Sequence, residues 1–372
     1  MNTIARAKRL RFFHRIIWLV VIVAVLALLA FLTGPKFGAI LEALTPPNLP
    51  KVTADKKQVW LEQNWTEQQR DKFHHMGQGT RTFPIPFDWF VNLEQPKSSP
   101  YSLLFGKKGK LVDSAYMQRF GFIRGKVSAL NPYGLPIGFA ATADQALPGI
   151  KERTTAVGLT CAACHTGHLV YNDTEYVIEG GPADTDLGLF RGALSAAMAQ
   201  TLLSSKIPFF DGRFDRFARN VLKEKYSDTT KLQLARDFDE FITSQAAKGG
   251  DIIDVTEGFS RLDALNRIGN QVFSANLDRR KNYAPISAPV NYPHLWTASW
   301  FDWVQYDGSI MQPLVRNAGE ALGVSAYLDV KSPLDEKRFG SSIPMNSLYW
   351  IENTLSGPPP YPNKKFSPAR CR

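Results

Sequence analysis

The chain has 372 residues, of which 44% are hydrophobic and 12% aromatic, enough to bury a sizeable core. Its net charge of +10 includes Arg6, Lys8, Arg9, Arg11 and Arg15, which precede any acidic residue, so the remainder carries only +5. With no basic-aromatic module beside that charge, nucleic acid is excluded as a partner, and three cysteines, two of them in one motif, exclude a disulfide framework.

The basic cluster leads into residues 16–32, seventeen positions without a charge or a strong polar group. That length is at the short end of what spans a bilayer. Basic residues keep their flank in the cytoplasm. Residues 1–34 therefore read as an N-terminal transmembrane helix, a single-pass anchor in the bacterial cytoplasmic membrane, with the main domain in the periplasm or extracytoplasmic space. A cleaved signal peptide fits less well, because no small-x-small site follows Leu32. Residues 35–60, with Pro46, Pro47 and Pro50, read as a linker.

Residues 61–150 read as a loop-rich N-terminal part of the exported domain, with one helix over 67–76 capped by Thr66 and ended by Gly77 and Gly79. Residues 151–372 read as a c-type haem domain. Helical spacing of Leu187, Phe190, Leu194 and Met198 predicts a helix over 184–203, capped by Asp184 or Thr185. Further helices are predicted over 214–225, 231–247 and 263–273. Nothing alternates at strand period for long, so the expected fold is mainly α with long ordered loops.

Cys161-Ala162-Ala163-Cys164-His165 fits the C-x-x-C-H pattern of covalent haem c attachment. Two thiols add across the haem vinyl groups, and the following histidine turns under the ring to ligate iron. Cys161 and Cys164 are thus the covalent haem-binding residues and His165 the proximal iron ligand. A zinc site needs a second pair of Cys or His at ligand spacing, which the sequence lacks. A redox C-x-x-C belongs in a βαβ setting, also absent. The sixth iron position decides between electron transfer and chemistry. Its candidates are His74, His75, His294, Met311 and Met345, and the sequence leaves them open. Trp296, Trp300 and Trp303 fall at spacings that would share one helix face, as core or as a pocket wall. Asp184 and Asp186 fit helix capping better than calcium binding.

The segment Gly158-Leu-Thr-Cys161-Ala-Ala-Cys164-His165-Thr-Gly167, followed by Ile178-Glu-Gly180-Gly181, resembles the di-haem cytochrome c peroxidase superfamily, and more closely its rubber-oxygenase-like branch. Gln78-Gly79-Thr80, Leu135-Pro136-Ile137-Gly138-Phe139, the run from Arg261 to Ile268 and Arg316-Asn317-Ala-Gly319-Glu320 carry the same likeness over roughly residues 60–360. The resemblance implies a helical protein with two c-type haems that reduces peroxide, oxidises protein side chains or cleaves polyisoprene with dioxygen. It also implies a distal wall around residues 269–294, with Phe273 and His294 as candidates. This chain holds one C-x-x-C-H, so the expectation is either a C-terminally truncated di-haem protein or a one-haem descendant. The functional expectation is a haem oxidoreductase, peroxidase- or oxygenase-like, with a small-molecule or polymer substrate and a redox partner protein. The alternative is a non-catalytic c-type cytochrome with both axial positions filled.

Overall fold

The computed structural model describes residues 42–51, 56–61, 63–99, 102, 108–207, 211–247, 251–298, 301–305, 308–334 and 338–356. The expected N-terminal anchor, Trp300 and Cys371 lie outside these residues. Among the described residues no helix is long and apolar enough to cross a membrane, so the expected transmembrane helix has no counterpart there.

The chain begins with β1 (Lys57–Trp60) and α1 (Glu67–His75). Thr66 and Gln69 close a capping box at the start of α1, each side chain bonding the other residue's backbone N–H. Next come β2 (Phe83–Pro86), the short α2 (Phe87–Phe90) and α3 (Ser114–Met117), then β3 (Phe139–Gln145) and β4 (Thr154–Leu159). A hairpin follows, β5 (Thr166–Tyr171) and β6 (Thr174–Glu179). Three longer helices pack together, α4 (Leu187–Lys206), α5 (Arg213–Leu222) and α6 (Asp228–Ala247). The C-terminal part holds α7 (Ala264–Gly269), a π-helical turn at Asn270–Asn276, α8 (Pro313–Gly323) and α9 (Met345–Ser356).

The mainly helical expectation is corrected: the fold is mixed, 41% helical and 16% strand. Its larger sheets are three-stranded, in the orders β2-β4-β3 and β1-β6-β5. The strands escaped the period-2 search for a physical reason. Central β4 is covered on both faces, so residues 156–159 are all buried and the strand reads as an unbroken apolar run. The β5–β6 hairpin turns at Asn172 and Asp173, both with positive φ of 45° and 57°, as its two-residue turn requires. That Asn-Asp pair between Val170-Tyr171 and Thr174 was the available signal.

Boundaries also move. Residues 57–60, assigned to the linker, form β1 and pair in parallel with β6. The division at residue 150 cuts the β3–β4 pair, so 61–150 and 151–372 share one sheet. Asp186, not Asp184 or Thr185, caps α4 by accepting from the Leu189 amide.

One core links helices to sheet. Phe190 of α4 meets the rings of Phe83, Phe120, Phe122 and Phe139 at 5.0, 5.2, 5.3 and 5.9 Å between centroids, a spacing favourable for edge-on aromatic contact. A second cluster joins Phe73 of α1, Ile137, Ala162, and Ile351 and Leu355 of α9, with Cys161 packed against it.

Candidate cofactor-attachment site

The Cys161–His165 loop crosses from β4 of one sheet to β5 of the other. Its residues 161–163 form a single 3-10 turn. The His165 amide donates to the Cys161 carbonyl at 2.9 Å, and the Cys164 amide to the same oxygen at 3.2 Å. Gly138 lets this turn sit close to the sheet. Its φ is +90°, and a Cβ there would lie 2.3 Å from the Ala163 Cα. Thr160 fixes the entry, its amide donating to the Gly138 carbonyl at 2.8 Å and its hydroxyl to the His74 carbonyl at 3.0 Å.

Nδ1 of His165 lies 2.7 Å from the carbonyl oxygen of Pro293, 128 residues away. Burial pushes the His165 pKa down to about 4; the Pro293 bond opposes that shift, while Arg316 and His294 add to it. The imidazole is therefore neutral near pH 7, its single proton donated from Nδ1 to Pro293. Nε2 is left as a lone-pair donor, and it has no hydrogen-bond partner among the described residues. Two further bonds hold the Pro293 segment: the Leu295 amide donates to the Gly180 carbonyl at 2.8 Å, and the Trp296 Nε1–H to the Glu179 carbonyl at 3.0 Å. The Gly180 amide in turn donates to the His165 carbonyl at 2.8 Å. Gly180 has φ +78°, and a Cβ there would lie 2.7 Å from Trp296 Nε1.

Cys161 and Cys164 are free thiols. Burial pushes Cys161 up to about 11, partly opposed by a hydrogen bond to Gln78. It pushes Cys164 up to about 12, with Tyr292 opposing. A redox C-x-x-C lowers the pKa of its attacking thiol; these two run the other way. No group of three or more His, Cys, Asp or Glu able to hold a metal ion occurs among the described residues. The expectation of a metal-binding centre is therefore corrected on that point, since no cage made of protein ligands alone is present there. Chemically, the arrangement presents two neutral thiols beside one neutral imidazole with a free Nε2.

The remaining sequence candidates divide sharply. His74 is buried, its Nε2 2.8 Å from a Glu179 oxygen that also takes the Arg70 Nε–H at 2.8 Å. His75 is buried with both nitrogens engaged, Nδ1 to the Phe139 carbonyl at 3.0 Å and Nε2 to the Asn131 side-chain amide at 3.2 Å. Both are packing groups. His294 is exposed, stacks on Trp296 at 5.3 Å and follows Pro293, next to the carbonyl that takes Nδ1. Phe273 is 58% exposed on the π-helical turn. Met311 and Met345 are both exposed. The expected helical tryptophan stripe is corrected: Trp296 sits in an irregular segment and Trp303 in a two-residue strand. Asp184 accepts from the Ser260 hydroxyl at 2.6 Å.

Sequence reasoning missed four residues that the fold brings to the loop. Gln78 accepts from the Cys161 amide at 3.2 Å and faces its sulfur at 3.4 Å. Tyr292 meets Cys164, and Pro293 holds His165. Arg316, on α8, is close enough to act on both Cys161 and His165. Gln78 and Arg316 stand inside segments that carried the family likeness, which was the one available signal. No family model matches the chain, and no solved structure matches it. The chain is similar to an uncharacterized protein of Sinorhizobium fredii, y4iJ, at 44% identity over 343 residues, covering 87% of this chain and 53% of that protein. It thus spans about half the length of that curated relative.

Proposed function

We propose that this chain is a c-type haem protein acting as a haem oxidoreductase, with one haem held through Cys161 and Cys164 and its iron ligated by His165. The observation that carries the reading is the 2.7 Å approach of His165 Nδ1 to the Pro293 carbonyl. A histidine that ligates iron through one nitrogen ordinarily donates the other N–H to a carbonyl or carboxylate, which fixes its tautomer and strengthens its donation. The residues fit the group: two neutral thiols suit addition to vinyl groups, and the imidazole beside them is uncharged with Nε2 free. Bound haem would supply an iron whose sixth position sets the chemistry.

The protein's own part is orientation. Pro293 fixes the His165 ring, Gln78 fixes Cys161, and Gly138 holds the turn against β3. The engagement of His74 and His75 elsewhere favours an exchangeable sixth position over a second tightly bound histidine. The resemblance of several segments to the di-haem cytochrome c peroxidase superfamily and its rubber-oxygenase-like branch supports the same choice. Absorption spectra of the haem-loaded protein, with and without dithionite and carbon monoxide, test it. High-spin iron that takes up carbon monoxide is the expected result. Low-spin iron indifferent to carbon monoxide would instead establish a carrier with both axial sites filled.

A further inference from the structure

Glu179 puts a carboxylate where an apolar side chain would pack. It shares one face of β6 with Val177, and the two are 0% and 1% exposed. Its Oε1 takes the Arg70 Nε–H at 2.8 Å, and His74 Nε2 reaches the same oxygen at 2.8 Å, both from α1. The Trp60 ring backs this pair, with the Arg70 guanidinium over it at 5.1 Å and the His74 ring at 5.4 Å. Replacing a buried ion pair with apolar groups of similar volume is often neutral or stabilising. Stability alone therefore does not account for Glu179; what the carboxylate adds is direction.

The backbone beside it shows what is being directed. The Glu179 carbonyl accepts the Trp296 Nε1–H at 3.0 Å and the Gln63 side-chain amide at 2.6 Å. β6 ends at Glu179, and Gly180 turns out of it with φ +78°, so Glu179 is the last side chain of the strand to be anchored. The Gly180 amide donates to the His165 carbonyl, and the Leu295 amide to the Gly180 carbonyl, each at 2.8 Å. With His165 Nδ1 at 2.7 Å from the Pro293 carbonyl, the bonds close a circuit from the His165 backbone through Gly180, Leu295 and Pro293 to the His165 ring. The Glu179 side chain fastens that circuit to α1.

We propose that Glu179, clamped by Arg70 and His74, is a positioning residue for His165. It fixes the peptide that holds Leu295 and Trp296, and so sets the Pro293 carbonyl that receives the Nδ1–H. A fixed acceptor keeps the imidazole in one tautomer and strengthens donation from Nε2. The consequence for iron rests on the haem reading above; the tautomer does not.

Two measurements separate these. Nitrogen-15 NMR of the histidine rings, in the haem-free full chain carrying Cys161→Ala and Cys164→Ala, reads the tautomer directly. His165 should be wholly Nδ1–H in that parent. Trp296→Phe, which keeps a ring against His294 and alters no charge, should give a mixture with Nε2–H. Glu179→Gln and Arg70→Gln should do the same, and Arg70→Lys should recover part of the parent state. Circular dichroism reports whether each variant folds. In the haem-loaded chain, Trp296→Phe, Glu179→Gln and Arg70→Gln should each raise the midpoint potential, because a less firmly held imidazole stabilises ferric iron less. Charge acting through space would instead move Glu179→Gln and Arg70→Gln in opposite directions and leave Trp296→Phe unmoved, which would overturn the positioning role. So would a folded Glu179→Gln variant whose His165 tautomer is unchanged, or a parent with mixed tautomers. Failure of the wild-type chain to attach haem would overturn the haem reading and leave the NMR result standing.

Discussion

The layer around Phe190 and the loop around His165 are built in different ways. The first is a mass of apolar contacts: Phe190 alone meets five other phenylalanine rings, and Trp89 stands against Phe217, Phe238 and Phe241. No single contact is indispensable there, and loss of one lowers stability by a graded amount. The loop depends on a few directional bonds to distant residues, Gln78 at 83 positions and Pro293 at 128. Loss of any one misdirects a group without greatly changing the buried area. Stability and chemistry are therefore separable in this molecule.

The largest separation should come from Cys161→Ala combined with Cys164→Ala. This pair should abolish covalent haem while leaving far-ultraviolet circular dichroism unchanged; loss of the fold would show that the loop belongs to the structural core. Phe190→Ala works from the other side. It should cost about 3–5 kcal/mol in urea unfolding, with haem per folded molecule unchanged. Gly138→Ala should breach the division, because a Cβ there overlaps the Ala163 backbone at a positive φ. A loss of about 2–4 kcal/mol together with reduced haem attachment is expected, against haem loss alone if the turn relaxes freely.

The smallest effect is on pH. His75 is 3% exposed, and burial lowers its pKa from 6.5 to about 4, so the unfolded chain binds the proton more readily. Stability should be full above pH 6.5 and fall as pH drops toward 4. For His75 the loss is about 2 kcal/mol at pH 5. His165 shifts in the same direction. Urea unfolding of the haem-free double cysteine variant between pH 7 and 5 checks this, and His75→Gln should flatten the slope.

What the sequence disclosed follows the same division. Helices α1 and α4–α6 were legible because capping residues and 3.6-residue spacing act over neighbours. Thr66 and the Leu187–Phe190–Leu194 spacing are local facts. The Cys161–His165 motif was legible for the same reason, since its chemistry lies within five residues. The strands were not: residues 156–159 of β4, which lies between β2 and β3, are all buried and so show no alternation. Nor could spacing reveal that Pro293 holds His165, that Gln78 holds Cys161, or that His74 and His75 are consumed by Glu179, Phe139 and Asn131. Those partners lie between 56 and 128 residues apart in the chain and meet only in the fold.

The most direct test of the central claim is the intact mass of the denatured protein after expression with a cytochrome c maturation system. The account predicts the mass of the chain plus one haem, retained through acid extraction and lost when Cys161 and Cys164 are both replaced. A mass equal to the bare chain, with Cys161 and Cys164 still titrating as free thiols, would contradict it.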